Sequence, residues 1–214
     1  MRIVVIGASK GIGAALLDQA WSAGHNVVAV GRGVSVGERG NVTPIQGSIL
    51  DPGVAERAVA DADGVAWCVG NRQLGPAALR KVTLFSEGTR RTIDAMKAAG
   101  VRRLVVVTGL GAGESLGHGG LLYDRIALPF LLGAIYADKN RQEALVRASG
   151  LDWTIVRPVP LTDGPRTGDY RVLTDLTGVT AKGRVSRADC ADGLLRALTE
   201  GAWMRQAVLI APAG

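Results

Sequence analysis

Three glycines at turn positions 1, 5 and 7, Gly7, Gly11 and Gly13, stand between an apolar run, Arg2 to Ile6, and an alanine- and leucine-rich stretch, Ala14 to Ala23. A second apolar run, Val27 to Val30, ends at Gly31-Arg32. Strand, glycine turn, helix and strand form a βαβ unit, and each glycine has a physical task there. Gly7 allows a sharp reversal, Gly11 lets the backbone approach a pyrophosphate, and Gly13 lets helix and strand pack closely. The helix N-terminus then faces the phosphates of a dinucleotide. A site for the unphosphorylated dinucleotide places Asp or Glu at the end of the second strand, to bond the ribose 2′-hydroxyl. This chain has Gly31-Arg32-Gly33 there, and no acid before Glu38. A guanidinium suits a 2′-phosphate, with Lys10 of the turn as a second cation, so the residues point to NADP(H).

A carbonyl reduction needs a proton donor beside the hydride acceptor. The candidates are Tyr136, Tyr123 and His118, each with a second reading: core or lid residue for Tyr136, amphipathic packing for Tyr123, exposed loop for His118. Thr108, at the end of an apolar strand, either holds a substrate carbonyl or caps the strand. Lys139 either bonds the nicotinamide ribose or pairs with Glu143, four residues on. Arg102-Arg103 reads as a solvated turn and His25 as a structural turn residue.

The elements that must position these residues alternate. Strands are expected at Val42–Gln46, Gly64–Val69, Arg103–Val107, Trp153–Arg157 and Ala207–Ile210, with a short one at Tyr170–Leu173. Helices are expected at about Val54–Ala60, with Asp51 as N-cap and Pro52 in its first position, at Val82–Ala99 stopped by Gly100, at Ala137–Ser149 stopped by Gly150, and at Arg187–Leu198. Nearly all-apolar strands alternating with helices predict an α/β fold of one domain over residues 1–214. Its doubly wound parallel sheet has about seven strands and is covered by helices on both faces. A glycine-rich then apolar insert around 109–136, leaving the carboxyl end of a strand, is the expected pocket wall or lid, and a second pocket segment spans about 159–184.

Composition narrows the partners. Of 214 residues 47% are hydrophobic and 21% charged, ordinary for a soluble protein. The net charge is +6, but its arginines are scattered and aromatics are few, which argues against nucleic acid. Asp124, Arg125 and Pro129 interrupt the longest apolar stretch, which argues against a membrane span. A strand beginning at Arg2 leaves no room for a signal peptide, and Cys68 and Cys190 read as reduced core residues, so a cytoplasmic location is expected. A small-molecule substrate and a monomer or small homo-oligomer complete the expectation.

Five stretches together resemble the short-chain dehydrogenase/reductase superfamily in its extended, atypical branch: Gly7–Gly13; Ser86–Arg90 with Ala95–Val101; Ser149–Pro158; Thr167–Tyr170; and Val185–Asp189. Within it the chain is most similar to the biliverdin-IXβ reductase/flavin reductase family and its bacterial NAD(P)H-binding relatives, with their Rossmann-like fold. The resemblance implies that Gly7, Ser9, Lys10, Gly11, Ile12, Gly13 and Arg32 hold the phosphates and the adenosine ribose. It places Ser48 and Ile49 beside the adenine, Val69, Gly70 and Asn71 under the central ribose, and Pro158 and Val159 beside the nicotinamide. Thr108 falls at the superfamily's active-site hydroxyl and Lys139 near its ribose-binding lysine. The chain also departs from the pattern. Ser48 replaces an Asp that contacts the adenine amino group, and Pro160 stands where some biliverdin reductases use His. The Tyr-x-x-x-Lys pair is represented only by Tyr136-Ala-Asp-Lys139, one residue short, which turns the tyrosine about 100° around the helix.

So weak an acid set favours acceptors that need little help after hydride arrives, and the apolar insert suits a planar ligand. The expected function is NADPH-dependent reduction of a planar or conjugated acceptor, flavin-, quinone- or tetrapyrrole-like. One alternative is a carbonyl reductase using the shifted Tyr/Lys pair. The other is a non-catalytic NADP(H) sensor. A sugar-nucleotide epimerase is disfavoured for lack of the intact pair and of a larger substrate domain.

Overall fold

Successive side chains of a strand point to opposite faces, so a strand covered on both sides is apolar along most of its length. In β1 (Arg2–Ile6), Ile3 and Val5 enter one core and Val4 and Ile6 the other. The computed structural model, which describes residues 1–70, 82–121, 124–125 and 132–213, repeats this division across the sheet. The further strands are β2 (Asn26–Gly31), β3 (Val42–Gln46), β4 (Gly64–Trp67), β5 (Arg103–Val107), β6 (Asp152–Pro158), β7 (Leu161–Thr162), β8 (Tyr170–Leu173), β9 (Val185–Ser186) and β10 (Gln206–Pro212). Eight form one sheet in the order β3-β2-β1-β4-β5-β6-β10-β8, parallel except that β8 runs antiparallel to β10. β7 and β9 form a separate two-stranded sheet.

The helices are α1 (Gly11–Ser22), α2 (Val54–Val59), α3 (Leu84–Ala98), α4 (Gly133–Ala148) and α5 (Arg187–Glu200). Leu16 and Leu17 of α1 join Leu194 and Leu198 of α5 in the core on one face. Val59 of α2, Phe85 and Met96 of α3, and Ile135 and Val146 of α4 fill the other. This is the doubly wound α/β arrangement, with β8 at the edge as an eighth strand. After β3 the chain returns to the opposite side of β1, so the topological switch, and the crevice it opens, lies between the carboxyl ends of β1 and β4.

Local chemistry explains most boundaries. Gly100 and Gly150 take left-handed φ values of 71° and 73° just after α3 and α4. α1 starts at Gly11, not Ala14, so Gly11 and Gly13 lie in its first turn. The expected Asp51 cap on α2 is not formed. Gly53, at φ 74°, occupies the cap position, and the Asp51 carboxylate instead accepts from the Ser48 N–H at 2.7 Å. Nor is Arg102-Arg103 a solvated turn. Arg102 is exposed and pairs with Asp152, but Arg103 is buried at the start of β5. There its guanidinium donates to the Ala197, Ala202 and Asp152 carbonyls and to the Thr154 hydroxyl, closing off the end of α5. Cys68 and Cys190 are buried and free, and burial raises both thiols well above the ordinary cysteine range.

Candidate functional site

The glycine turn is built by close approach. A methyl on Gly13 would lie 2.2 Å from the Gly7 carbonyl oxygen, and one on Gly7 would lie 2.8 Å from the Cys68 carbonyl carbon, at the end of β4. Only glycine fits either place. Gly7 and Ala8 both donate to the Val30 carbonyl, at 2.9 and 3.0 Å, which ties the turn to β2. Ser9 then stands over Gly31, where a methyl would meet its Oγ at 2.3 Å. Gly47 N–H reaches the Gly31 carbonyl at 3.3 Å, bringing Ser48 alongside. Residues far apart in the chain therefore form one cradle: the turn, Gly31-Arg32 and Gly47-Ser48. Lys10 and Arg32 are exposed, and among the described residues neither forms an ion pair. No acid stands in the first turn of α1. Around Gly70, beyond β4, a methyl would meet no atom of the described residues within 4 Å. A close-packed glycine turn with exposed cations at one end fits a phosphorylated dinucleotide.

Ile12 and Ile49 are buried, and Ile49 Cγ2 packs on Gly88 of α3, so its side chain faces the core. The Ser48 hydroxyl accepts from the Leu50 N–H at 3.2 Å. Val69 is half-buried at the crevice. Pro158 and Val159 are buried, with the Pro158 carbonyl accepting from Leu110 and the Val159 N–H donating to Ile210. Asn71 and Tyr123 lie outside the described residues, as does most of the apolar part of the insert.

At the carboxyl end of β5 the structure brings Thr108, Gly109, Tyr136 and Lys139 together. A methyl on Gly109 would lie 2.8 Å from the Tyr136 hydroxyl oxygen and 3.7 Å from Lys139 Nζ, so both side chains of α4 converge on this glycine. Lys139 donates to the Thr108 carbonyl and lies 5.4 Å from the Phe85 ring centre and 5.5 Å from that of Tyr136. Burial pushes its amine down to about 8, and Glu143 opposes the shift only partly. Asp138 lies between them in the chain. Its fully buried carboxylate accepts from the Phe85 N–H at 2.8 Å and from the Ser86 hydroxyl at 2.5 Å, capping α3 from the neighbouring helix.

Glu143 does not pair with Lys139. It accepts the Thr108 hydroxyl at 2.7 Å and Arg157 Nε at 3.0 Å. Arg157 also reaches Glu114, which pairs in turn with Arg147. Burial alone would lower the Arg157 guanidinium; the two carboxylates outweigh it and hold it above the ordinary arginine value. Sequence reasoning passed over this cluster, although an arginine directly after the apolar Ile155 and Val156 of β6 signals a buried partner. It passed over Arg187 as well, a base in the first position of α5, where the helix dipole disfavours positive charge.

His118 is half-buried rather than exposed, with Nδ1 2.7 Å from the Val179 carbonyl and its own carbonyl accepting from Ala181. The two expected pocket segments thereby meet. Glu114 and His118 of the first, with Thr174–Thr177 of the second, help line a cleft of about 610 Å³ beside β10. The cleft reaches Arg157 but includes neither Tyr136 nor the glycine turn. Asp189 organises the second segment, accepting from the Thr167 N–H and hydroxyl, the Gly168 N–H and the Ser186 hydroxyl, all between 2.7 and 2.9 Å. Among the described residues no group of acids, histidines and cysteines could hold a metal, and no helix is long and apolar enough to cross a membrane.

Residues 7–201 match the profile of a family described as NAD(P)H-binding. YwnB of Bacillus subtilis (strain 168), an uncharacterized protein, is 31% identical over 205 residues, 91% of each chain. YhfK of the same organism, named an uncharacterized sugar epimerase, is 32% identical over 114 residues, 53% of this chain and only 47% of that protein. Among solved structures, ChuY of Escherichia coli O157:H7, an anaerobillin reductase, is 26% identical with a TM-score of 0.78, covering 99% of this chain and 97% of its own. A short-chain dehydrogenase/reductase from Veillonella parvula DSM 2008, in complex with NADP, shares the fold at a TM-score of 0.79 and 21% identity, covering 100% of this chain and 95% of its own.

Proposed function

The chain belongs to this NAD(P)H-binding family, and from that premise we propose that it is an NADPH-dependent reductase of a planar or conjugated small molecule, flavin-, quinone- or tetrapyrrole-like. When bound, the nicotinamide supplies hydride. With one proton this gives the two-electron-reduced acceptor and NADP⁺. The glycine turn and Arg32 hold the adenosine end, and Lys139, fixed beside the Thr108 carbonyl, faces the reacting end. The observation that carries the reading is the engagement of Thr108: its hydroxyl proton goes to Glu143, so it is not a donor to substrate. An acceptor that takes its proton from water suits such a centre, with positioning supplying most of the rate. The likeness to ChuY, an anaerobillin reductase, supports a reductase of this kind and the resemblance to the biliverdin-IXβ reductase/flavin reductase family.

A second reading is favoured by the convergence of Tyr136 and Lys139 on Gly109: reduction of a carbonyl with Tyr136 as acid. Incubation with NADPH and a panel of flavins, quinones and aldehydes tests both. Oxidation of NADPH with flavins or quinones is expected. Turnover of aldehydes alone establishes the second reading, and binding without turnover of any acceptor establishes a sensor.

A further inference from the structure

Arg187, the first residue of α5, lies against the glycine turn. A methyl on Gly11 would be 3.7 Å from both Cδ and Nε of Arg187, and among the described residues outside the turn and α1 itself nothing else comes within 4 Å. The placement is firmly held. Ser186 caps α5 by accepting from the Asp189 N–H at 2.8 Å, and Gln19 of α1 donates to the Ala188 carbonyl at 2.8 Å. The guanidinium therefore stands beside the N-terminus of α1 and on that of α5, two ends of positive potential where a cation is disfavoured. α1 brings no acid to its first turn. The one ion pair Arg187 makes among the described residues is with Asp163, at 2.6 Å, whose side chain is 91% exposed. An anion lying between the turn and Arg187 would reverse the sign of both helix-end interactions.

We propose that Arg187 is a ligand of the dinucleotide's pyrophosphate, with Asp163 as its competing counter-ion. This rests on the nucleotide reading above and extends it to a cation that the glycine turn itself does not contain. Arg32 holds the 2′-phosphate end, while Arg187 answers to the bridge between the two nucleotides.

Binding measured by calorimetry with NADPH, and with adenosine 2′-monophosphate, which has no pyrophosphate, separates the two arginines. Arg187→Ala is expected to weaken NADPH about tenfold or more and to leave adenosine 2′-monophosphate unchanged. Arg187→Lys should recover part of the loss. Asp163→Asn, a change at an exposed side chain, should tighten NADPH about two- to fivefold. Equal NADPH affinity in wild type and Arg187→Ala, or equal loss of both ligands, overturns the role of Arg187. Should Arg187→Ala fail to fold, unchanged NADPH affinity in Asp163→Asn overturns it instead. A wild-type protein that binds neither ligand overturns the nucleotide reading itself.

Discussion

The Thr108 hydroxyl donates to the Glu143 carboxylate at 2.7 Å, joining the end of β5 to α4 across 35 residues of chain. Both groups are buried, so the bond holds structure in place. Thr108→Val is expected to lower stability by about 1–3 kcal/mol, the cost of leaving a buried charged acceptor one donor short. Reduction should slow by less than about tenfold. Urea melts and kcat/KM check the two together, and a hundredfold kinetic loss in a stable variant would place the hydroxyl on the substrate.

Arg32 forms no ion pair among the described residues and directly follows Gly31, the last residue of β2, over which Ser9 stands. Arg32→Ala should weaken NADPH on the order of 10- to 100-fold, the worth of one or two charged hydrogen bonds, and barely alter NADH. Quenching of tryptophan emission by each nucleotide gives both constants. Equal losses would remove the 2′-phosphate assignment.

For Tyr136, the size of the effect separates the two chemistries. Tyr136→Phe keeps the ring beside Lys139 and removes only the hydroxyl near Gly109. With a flavin or quinone acceptor the rate should fall less than about tenfold. A thousandfold fall, about 4 kcal/mol of barrier, would identify a carbonyl reductase with tyrosine as acid.

Lys139 sets a pH dependence. Burial brings its amine from 10.5 to about 8, so its charge is lost as pH rises through that value. If the ammonium serves the reaction, kcat/KM should decline above about pH 8, and Lys139→Arg, which keeps the charge, should remove that limb. Stability moves the other way. Between about 8 and 10.5 the folded state binds fewer protons than the unfolded chain, so this group's contribution rises with pH. A rate profile flat through pH 8 would exclude Lys139 as a working cation.

Asp189 ties the 167–170 segment to α5. Burial acts to raise its carboxyl, but hydrogen bonds from Gly168, Ser186 and Thr167 outweigh it and hold the group below 3.8. Its stabilisation is therefore complete above that value and disappears as pH falls through the lower folded one. Asp189→Ala should cost about 3 kcal/mol at neutral pH and flatten the acid limb of a pH series of thermal melts. An unchanged melting temperature would show that the segment is held by other means.

The glycine turn, the alternating elements and the doubly wound sheet were legible in the sequence because each is a local or periodic property. A glycine is required where the backbone passes within 2.2 Å of a would-be methyl, as at Gly13, and a strand buried on both faces is mostly apolar. Partner choice among charged side chains was not legible. Lys139 and Glu143 share a helix face by spacing, yet the Thr108 carbonyl takes one and Arg157 the other. Asp138 caps a helix that is not its own, Arg103 is buried, and Arg187 reaches Gly11 from the far end of the chain. Spacing along the chain limits which groups can meet. Which ones do meet depends on what the sheet and the neighbouring helices place opposite them, because a buried charge takes the partner within reach in space.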